Sequence, residues 1–231
     1  MTSKSEAKFE CKYCNKKYVR ESTLAVHQCE PSRRWKQENE VGVRLGFNAW
    51  LRFYHLTQSS KKQKTYGDFV KSSYYSAFVR FGWYLHQIRA IQIQLFTDSL
   101  IKENVKLDWW TKERYYDKFL YGYLRKEHPN AALERGMKEI VRWSEDSGHK
   151  YENFFTKAGA GTICNMIANG RISPWVVFNC AKGVQFLATL NSEQTTMVYQ
   201  FIDPDYWQRR FVDYYADTEF AKEVLEAAGL N

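Results

Sequence analysis

Four residues near the start of the chain, Cys11, Cys14, His27 and Cys29, constrain its folding more than any other feature. Two thiols two residues apart, followed after a gap by an imidazole and a third thiol, form a donor set that Zn²⁺ binds in tetrahedral geometry. A segment of about 25 residues cannot bury enough apolar surface to fold alone, so a bound metal has to stabilise it. The spacing therefore predicts a small zinc-held fold.

An aromatic residue and a leucine complete this pattern of ligands. Tyr18 follows Cys14, and Leu24 precedes His27. With these residues the segment resembles a zinc finger of the two-Cys, two-His family, here in a CCHC form. In that family a hairpin carries the first two ligands and a helix the last two. The resemblance implies a ββα fold whose small core contains Tyr18 and Leu24.

The last two ligands depart from the family pattern, which leaves three to five residues between them. Here only Gln28 separates His27 from Cys29. Helical residues two apart point to opposite sides, so we expect the helix to end near His27, and the Pro31 that follows is compatible with that stop. A chance cluster or a disulfide is the alternative, but a disulfide would leave an odd thiol and require an oxidising compartment.

Length and composition indicate one substantial core with a small appendage, since the chain has 231 residues and is 44% hydrophobic. The sequence contains no apolar run of about 18 residues, and the stretch from Met1 to Lys8 is polar, unlike a signal peptide. We therefore expect a soluble, cytoplasmic protein with no membrane contact. Cys164 and Cys180 lie in apolar surroundings and are expected to be reduced core residues.

The net charge of +8 is concentrated at one end of the chain. Residues 1–80 carry 16 Lys and Arg against 7 Asp and Glu, or +9, and the remaining residues carry 18 against 19, or −1. A basic, zinc-bearing end predicts contact with phosphate, and hence with nucleic acid, DNA more than RNA. The alternative is an ordinary solvated charged face.

The family resemblance also implies which residues contact bases. If Leu24 is the fourth residue of the helix, Arg20 precedes the helix, Thr23 is its third residue and Val26 its sixth, which are the family's base-reading positions. Arg20 can pair with guanine, whereas the other two offer weak contacts. One finger covers about three base pairs, so phosphate contacts must add affinity. The predicted nucleic-acid-binding residues are Lys12, Lys16, Lys17, Arg20, Thr23, Arg33, Arg34, Lys36, Lys61, Lys62 and Lys64. A finger that only docks a protein is the alternative.

Helical spacing of apolar residues continues from Glu30 almost to the end, and alternating strand patterns are absent outside the finger. The predicted fold class is all-α, a multi-helix globular body with a small N-terminal ββα-type finger. The expected domains are a finger (1–30), a basic helical linker region (31–64) and an all-α body (65–231). The expected helices are 31–58, 69–85, 98–104, 108–127, 130–147, 161–168, 174–190, 192–202, 204–215 and 218–228.

Two further patterns have competing interpretations. In the basic first third, rings such as Trp35, Trp50 and Tyr54 alternate with cations, so they either stack on single-stranded bases or pack between helices. Residues 161–190 indicate a helix, a tight turn at Gly170 and a second helix. Because Trp175 and its apolar neighbours lack a basic face, we expect a buried αα-hairpin rather than a DNA-reading helix-turn-helix.

Signals of enzymatic activity are weak. Gly159-x-Gly161 follows no strand and lacks the Lys of a phosphate-binding loop, and the other histidines are scattered. Asp203 and Asp205 resemble nuclease metal ligands, but a capped helix end explains them equally well. We therefore expect no enzyme.

Several segments carry a resemblance that covers nearly the whole chain. They are Arg20-Glu21-Ser22-Thr23-Leu24, His27-Gln28-Cys29-Glu30, Arg44-Leu45-Gly46-Phe47 and Gly170-Arg171-Ile172-Ser173-Pro174-Trp175. The chain is similar to zinc-finger proteins of large contractile-tailed phages, which join one N-terminal finger to a helical body. This implies a phage protein in a bacterial cytoplasm, acting in transcription, replication or DNA handling. We expect a DNA-binding accessory protein whose helical body binds a protein partner. The alternative is a structural or assembly protein whose zinc-held finger serves only to bind another protein.

Overall fold

The computed structural model describes residues 8–58 and 63–231, which form two compact units. The first unit comprises the described residues up to Ile88 together with Ile93–Thr111. The second unit comprises Arg89–Gln92 and Lys112–Asn231. The domain limits expected at residues 30 and 64 rest on motif and charge, and they stay predictions.

The first unit contains one β-hairpin and six α-helices among its described residues. They are β1 (Phe9–Glu10), β2 (Lys17–Tyr18), α1 (Glu21–Ala25), α2 (Glu30–Lys36), α3 (Val41–Thr57), α4 (Tyr66–Lys71), α5 (Tyr75–Gln87) and α6 (Ile93–Lys102), followed by a 3₁₀ turn at Leu107–Trp109. The strands pair antiparallel, with Phe9 opposite Tyr18.

The second unit is entirely helical. Its elements are α7 (Glu113–Leu124), α8 (Pro129–Ser147), a 3₁₀ turn (Tyr151–Asn153), α9 (Phe154–Lys157), α10 (Ala160–Ala168), α11 (Pro174–Val177), α12 (Ala181–Leu187), α13 (Ser192–Tyr199), α14 (Pro204–Asp213) and α15 (Tyr215–Ala227). The predicted fold class, an all-α multi-helix body with a small N-terminal ββ element, is confirmed.

The core of the first unit depends on a close crossing of α3 and α5. A Cβ atom at Gly82 would lie 1.9 Å from the carbonyl oxygen of Gly42 and 2.5 Å from the amide nitrogen of Gly46, so the two backbones touch where side chains are missing. Beside this crossing, Trp110 packs with its ring centroid 5.5 Å from Phe78. The glycines therefore set how closely these helices approach.

The segment that joins α10 to α11 forms the centre of the second unit. All residues from 170 to 177 are buried, and Gly170 has the left-handed φ of +73° that a glycine tolerates after a helix. Trp175 has no exposed surface and packs on Trp207 at 6.2 Å between ring centroids. The predicted burial of this segment is confirmed, but the second helix of the predicted hairpin is wrong, because α11 has only one turn and α12 follows it as a separate helix.

Several expected helices are interrupted. The expected helix 108–127 begins as the 3₁₀ turn at Leu107–Trp109 and continues as α7 only from Glu113. The expected helix 31–58 breaks into α2 and α3 across a polar stretch, and 69–85 breaks at Ser72, whose hydroxyl accepts a hydrogen bond from the Tyr74 amide. The expected helix 174–190 breaks because Cys180 caps α12 through the Gly183 amide. A Cβ at Gly183 would lie 2.4 Å from the carbonyl oxygen of Val177, so this turn also requires glycine.

The helix starts expected at residues 174, 192 and 204 are confirmed, and a polar side chain caps each of them. Ser173, Asn191 and Asp203 cap α11, α13 and α14, and Thr65 caps α4. The start at Thr218 was wrong because its hydroxyl donates back to preceding carbonyl oxygens, so α15 begins three residues earlier.

Candidate metal centre and nucleic-acid face

The β-hairpin positions the first two ligands. Cys11 follows β1 directly, and the Cys11 amide donates to the carbonyl oxygen of Lys16 at 2.9 Å. The Asn15 amide donates back to the carbonyl oxygen of Cys11 at 2.8 Å, with Asn15 at a left-handed φ of +58°. This tight turn places Cys14 beside Cys11, so both thiols face the same side.

The end of α1 positions the other two ligands. This helix has five residues and ends at Ala25, and the His27 amide donates to the carbonyl oxygen of Leu24 at 3.0 Å. The chain then extends at Cys29, which is the N-cap of α2. The predicted helix end near His27 is confirmed, and Pro31 lies in the first turn of the next helix rather than simply after a stop.

The four ligand atoms lie within 4.8 Å of one another. The sulfur atoms of Cys11 and Cys29 are 3.9 Å apart, and the Cys14 sulfur is 3.3 Å from Nε2 of His27. A tetrahedral zinc ion with sulfur ligands at about 2.3 Å would hold two sulfur atoms about 3.8 Å apart. The arrangement can therefore hold a metal ion. All five cysteines are free thiols, so the disulfide alternative is not realised.

Two of the thiols differ in how readily they ionise. A hydrogen bond from the Tyr13 backbone lowers the pKa of Cys11, whereas burial raises the pKa of Cys29. Burial and then the nearby thiolate charges raise the pKa of Tyr18. The thiolate is the form that binds metal, and a divalent cation among three thiolates offsets their mutual repulsion and burial.

The small core of this segment has the composition expected from the sequence. Tyr18 packs its ring 5.0 Å from the ring of His27, and both side chains are half-buried, as is that of Leu24. The hairpin and α1 thus enclose only a few apolar groups. Such a core is too small to order the segment without metal.

The predicted nucleic-acid residues of the finger itself are exposed. Arg20 is the N-cap of α1 and makes no side-chain cap hydrogen bond, and Thr23 is the third residue of α1, as the family resemblance implies. Lys12, Lys16 and Lys17 lie on the hairpin, where Lys17 pairs loosely with a glutamate at 3.9 Å.

The basic residues that follow the finger are placed less uniformly. Arg33 is exposed and pairs with Glu30. Arg34 donates to the carbonyl oxygen of Val70 at 2.7 Å and lies over the ring of Tyr75 at 4.4 Å. Only 19% of the Arg34 side chain is exposed, so it joins α2 to α4 and α5. This structural use of Arg34 was not foreseen in the sequence.

The remaining predicted cations lie farther along the first unit. Lys36 is exposed at the end of α2, and Lys64 is half-buried with its Nζ 4.9 Å from the centre of the Tyr54 ring. Lys61 and Lys62 lie outside the described residues.

Most of the aromatic rings that alternate with cations are structural. Trp50 is 2% exposed, and Trp35 packs on Tyr66 at 5.1 Å between ring centroids. Arg52 donates two hydrogen bonds to Asp98 at 2.5 and 2.6 Å. For these residues the helix-packing interpretation is correct.

The acidic motif at Asp203 forms a helix cap. Asp203 caps α14 through the amides of Asp205 and Tyr206. Within residues 8–58 and 63–231, no helix combines the length and apolarity that crossing a membrane requires. Comparison of the chain with protein-family models, with curated proteins and with solved structures found no match.

Proposed function

We propose that the protein is a zinc-finger DNA-binding accessory protein. Three thiolates and one imidazole lie close enough together to bind one ion in tetrahedral geometry. This donor set is typical of structural zinc, since harder cations prefer oxygen ligands. Zinc would order the hairpin and α1, and this order would fix the side chains on the finger's surface. Its role is therefore structural rather than catalytic, because four protein ligands leave no open position.

The observation that carries DNA binding is the exposed position of Arg20 at the start of α1, flanked by the lysines of the hairpin. A guanidinium at the N-terminal end of a short exposed helix can reach O6 and N7 of guanine in the major groove. Residues 8–36 carry 8 Lys and Arg against 3 Glu, a net +5, which suits a phosphate backbone.

The finger's reach is limited by its size. α1 ends at Ala25, so the third base-reading position, Val26, lies at its C-cap with 78% of its surface exposed. One arginine specifies little sequence, and phosphate contacts would supply most of the affinity. An accessory role beside a protein partner, docked on the helical body, suits such weak specificity. The resemblance of sequence segments such as residues 20–24 and 170–175 to phage zinc-finger proteins is the ground for proposing a role in transcription, replication or DNA handling in a host bacterial cytoplasm.

Protein docking is the second candidate function, and the exposed valines of the finger favour it. Val19 and Val26 flank α1 with 47% and 78% of their surface exposed. Apolar groups at a helix end can bind a partner protein as readily as they can contact thymine methyl groups. Loss of DNA binding in the experiments below would favour this alternative.

Replacing Lys12, Lys16 and Lys17 together by alanine should weaken binding to all duplexes alike. Each lost phosphate contact reduces the slope of log affinity against log salt by about 0.9, so the slope should become shallower by about 2.7. Fluorescence anisotropy over a salt series measures both effects. The matched control replaces the exposed Lys126, Lys150 and Lys157, which removes the same charge far along the chain from the finger. Equal losses in both triple variants would show that only net charge matters.

Replacing Arg20 by alanine should flatten sequence preference with little loss of affinity. A bidentate contact to guanine discriminates by roughly 1 to 3 kcal/mol, and the Arg20 side chain makes no cap that the helix needs. Selection from a randomised duplex library reports the preference, with Arg44→Ala, at an exposed site on α3, as the control. A guanine preference that persists without Arg20 would exclude base reading by this residue.

A further inference from the structure

Three arginine side chains of the second unit meet at one carboxylate, that of Glu139. Arg142 donates to Oε1 of Glu139 at 2.9 Å, and Arg171 donates to Oε2 at 3.1 Å. Nη2 of Arg89 lies 3.5 Å from the same Oε2. Three guanidinium groups thus share one carboxylate, which leaves the cluster with two uncompensated positive charges.

Arg171 forms the buried floor of this cluster. It is 8% exposed, and its Nε is buried with no hydrogen-bond partner among the described residues. Burial lowers the pKa of Arg171, the ion pair with Glu139 opposes this, and the charges of Arg89 and Arg142 lower the pKa further. A buried donor that lacks an acceptor, in a cluster of excess positive charge, is stabilised by an additional anion.

Arg89 is held in an unusual backbone conformation. Its φ is +50°, and Gln92 in the same short segment has a φ of +48°. Residues other than glycine seldom adopt this left-handed region of backbone conformation. The Ile91 amide between them donates to the Tyr116 hydroxyl at 2.9 Å, and that hydroxyl donates to the carbonyl oxygen of Asn169 at 3.1 Å. Arg89 directly follows the C-cap of α5, Ile88, where helices commonly end in this conformation, and the hydrogen bonds of Ile91 fix the short segment that carries Arg89 within the second unit.

We propose that Arg89, Arg142 and Arg171 form a binding site for a phosphate monoester. A monoester carries about −1.5 to −2 charges at pH 7, which balances the excess charge of the cluster, and arginine forks match phosphate oxygens in geometry. The side chains of Arg89 and Arg142 are 44% and 53% exposed, so they retain donors that face solvent. Glu139 gathers the three arginines before the ligand binds. This site does not depend on the finger's proposed function.

Titration of the full chain with inorganic phosphate, followed by ³¹P NMR at constant ionic strength, tests the site. We expect saturable binding with a Kd on the order of 1 mM, weakened at least about tenfold in Arg89→Ala and in Arg142→Ala. Arg209→Ala removes an exposed arginine elsewhere in the second unit and should bind like the wild type. Because Arg142 is half-exposed, its variant should keep the wild-type circular dichroism spectrum. Absence of saturation, or wild-type affinity in both cluster variants, would overturn the proposal.

Competition against phosphate then identifies the source of the monoester. The first probe is AMP, with adenosine as its control. The second is a 5′-phosphorylated oligonucleotide, with its unphosphorylated form as control. Because the finger would bind both forms of the oligonucleotide, the difference between them reports only the terminal phosphate. Stronger competition by AMP indicates a small-molecule ligand, and stronger competition by the phosphorylated oligonucleotide indicates a nucleic-acid end. Failure of both phosphorylated probes would overturn the assignment to monoesters.

Discussion

Replacing Gly82 by alanine should destabilise the first unit by at least about 3 kcal/mol, since overpacking costs 1 to 3 kcal/mol where side chains can yield and more where backbone collides. A Cβ at this position would lie 1.9 Å from the carbonyl oxygen of Gly42 and 2.5 Å from the amide nitrogen of Gly46. Neither atom can move away unless α3 separates from α5. Urea denaturation, followed by tryptophan fluorescence, measures the loss.

Gly122→Ala is the matched control because it makes the same chemical change inside a helix without a collision. A Cβ at Gly122 in α7 would meet nothing within 4 Å. Alanine is favoured over glycine in a helix interior by roughly 0.5 to 1 kcal/mol, so this variant should be as stable as the wild type or slightly more stable. Wild-type stability in Gly82→Ala would contradict the close crossing of α3 and α5.

Replacing Cys14 by alanine should abolish metal binding and unfold the finger while the helical cores persist. Structural zinc sites contribute about 10 to 16 kcal/mol of binding free energy, most of which the small fold needs in order to form. The helices α2 to α5 should remain, because Arg34 and the hydroxyl of Tyr66 join α2 to α4 independently of the ligands.

Metal analysis combined with ¹H–¹⁵N NMR spectra checks this expectation. The wild type should carry about one zinc per chain, and Cys14→Ala should carry none and lose the dispersed amide signals of residues 9–28. Cys164→Ala is the control because it removes a thiol that is fully buried in the second unit and outside the ligand set. Dispersed finger signals in metal-free Cys14→Ala would show that the segment folds without metal.

The parts of the structure that the sequence predicted are those decided by neighbouring residues. The ligand spacing of Cys11 and Cys14 requires a turn, and the single residue between His27 and Cys29 requires the helix to end. Capping side chains such as Thr65 and Asn191 likewise act within one helical turn. Local chemistry was therefore enough to predict the metal cluster, the fold class and several helix starts.

The parts that the sequence did not predict depend on contacts between distant segments. Charge counting treated Arg34 as equivalent to Arg33, whereas contact with α4 and α5 buries Arg34. The crossing of α3 and α5 at Gly82 depends on Gly42 and Gly46, which lie about 40 residues earlier in the sequence. The Gly42-x-x-x-Gly46 spacing was a signal that could have indicated a close contact between helices.

The arginine cluster was hidden in the sequence for the same reason. Arg89, Arg142 and Arg171 belong to three separate segments, and nothing in their spacing connects them. The one available signal was Arg171 itself, a charged residue between Gly170 and the apolar run that begins at Ile172. A charge in such a position requires partners, but only the fold shows that Glu139 provides one.

Anisotropy of a labelled DNA duplex, measured with zinc-loaded and with zinc-stripped full-length protein, tests whether a zinc-held finger binds DNA. We expect the zinc-loaded protein to bind, with an affinity that falls steeply as salt rises. A chelator should abolish this binding, and added zinc should restore it. The contrary result would be equal affinity with and without metal, or no DNA binding by the zinc-loaded protein at low salt.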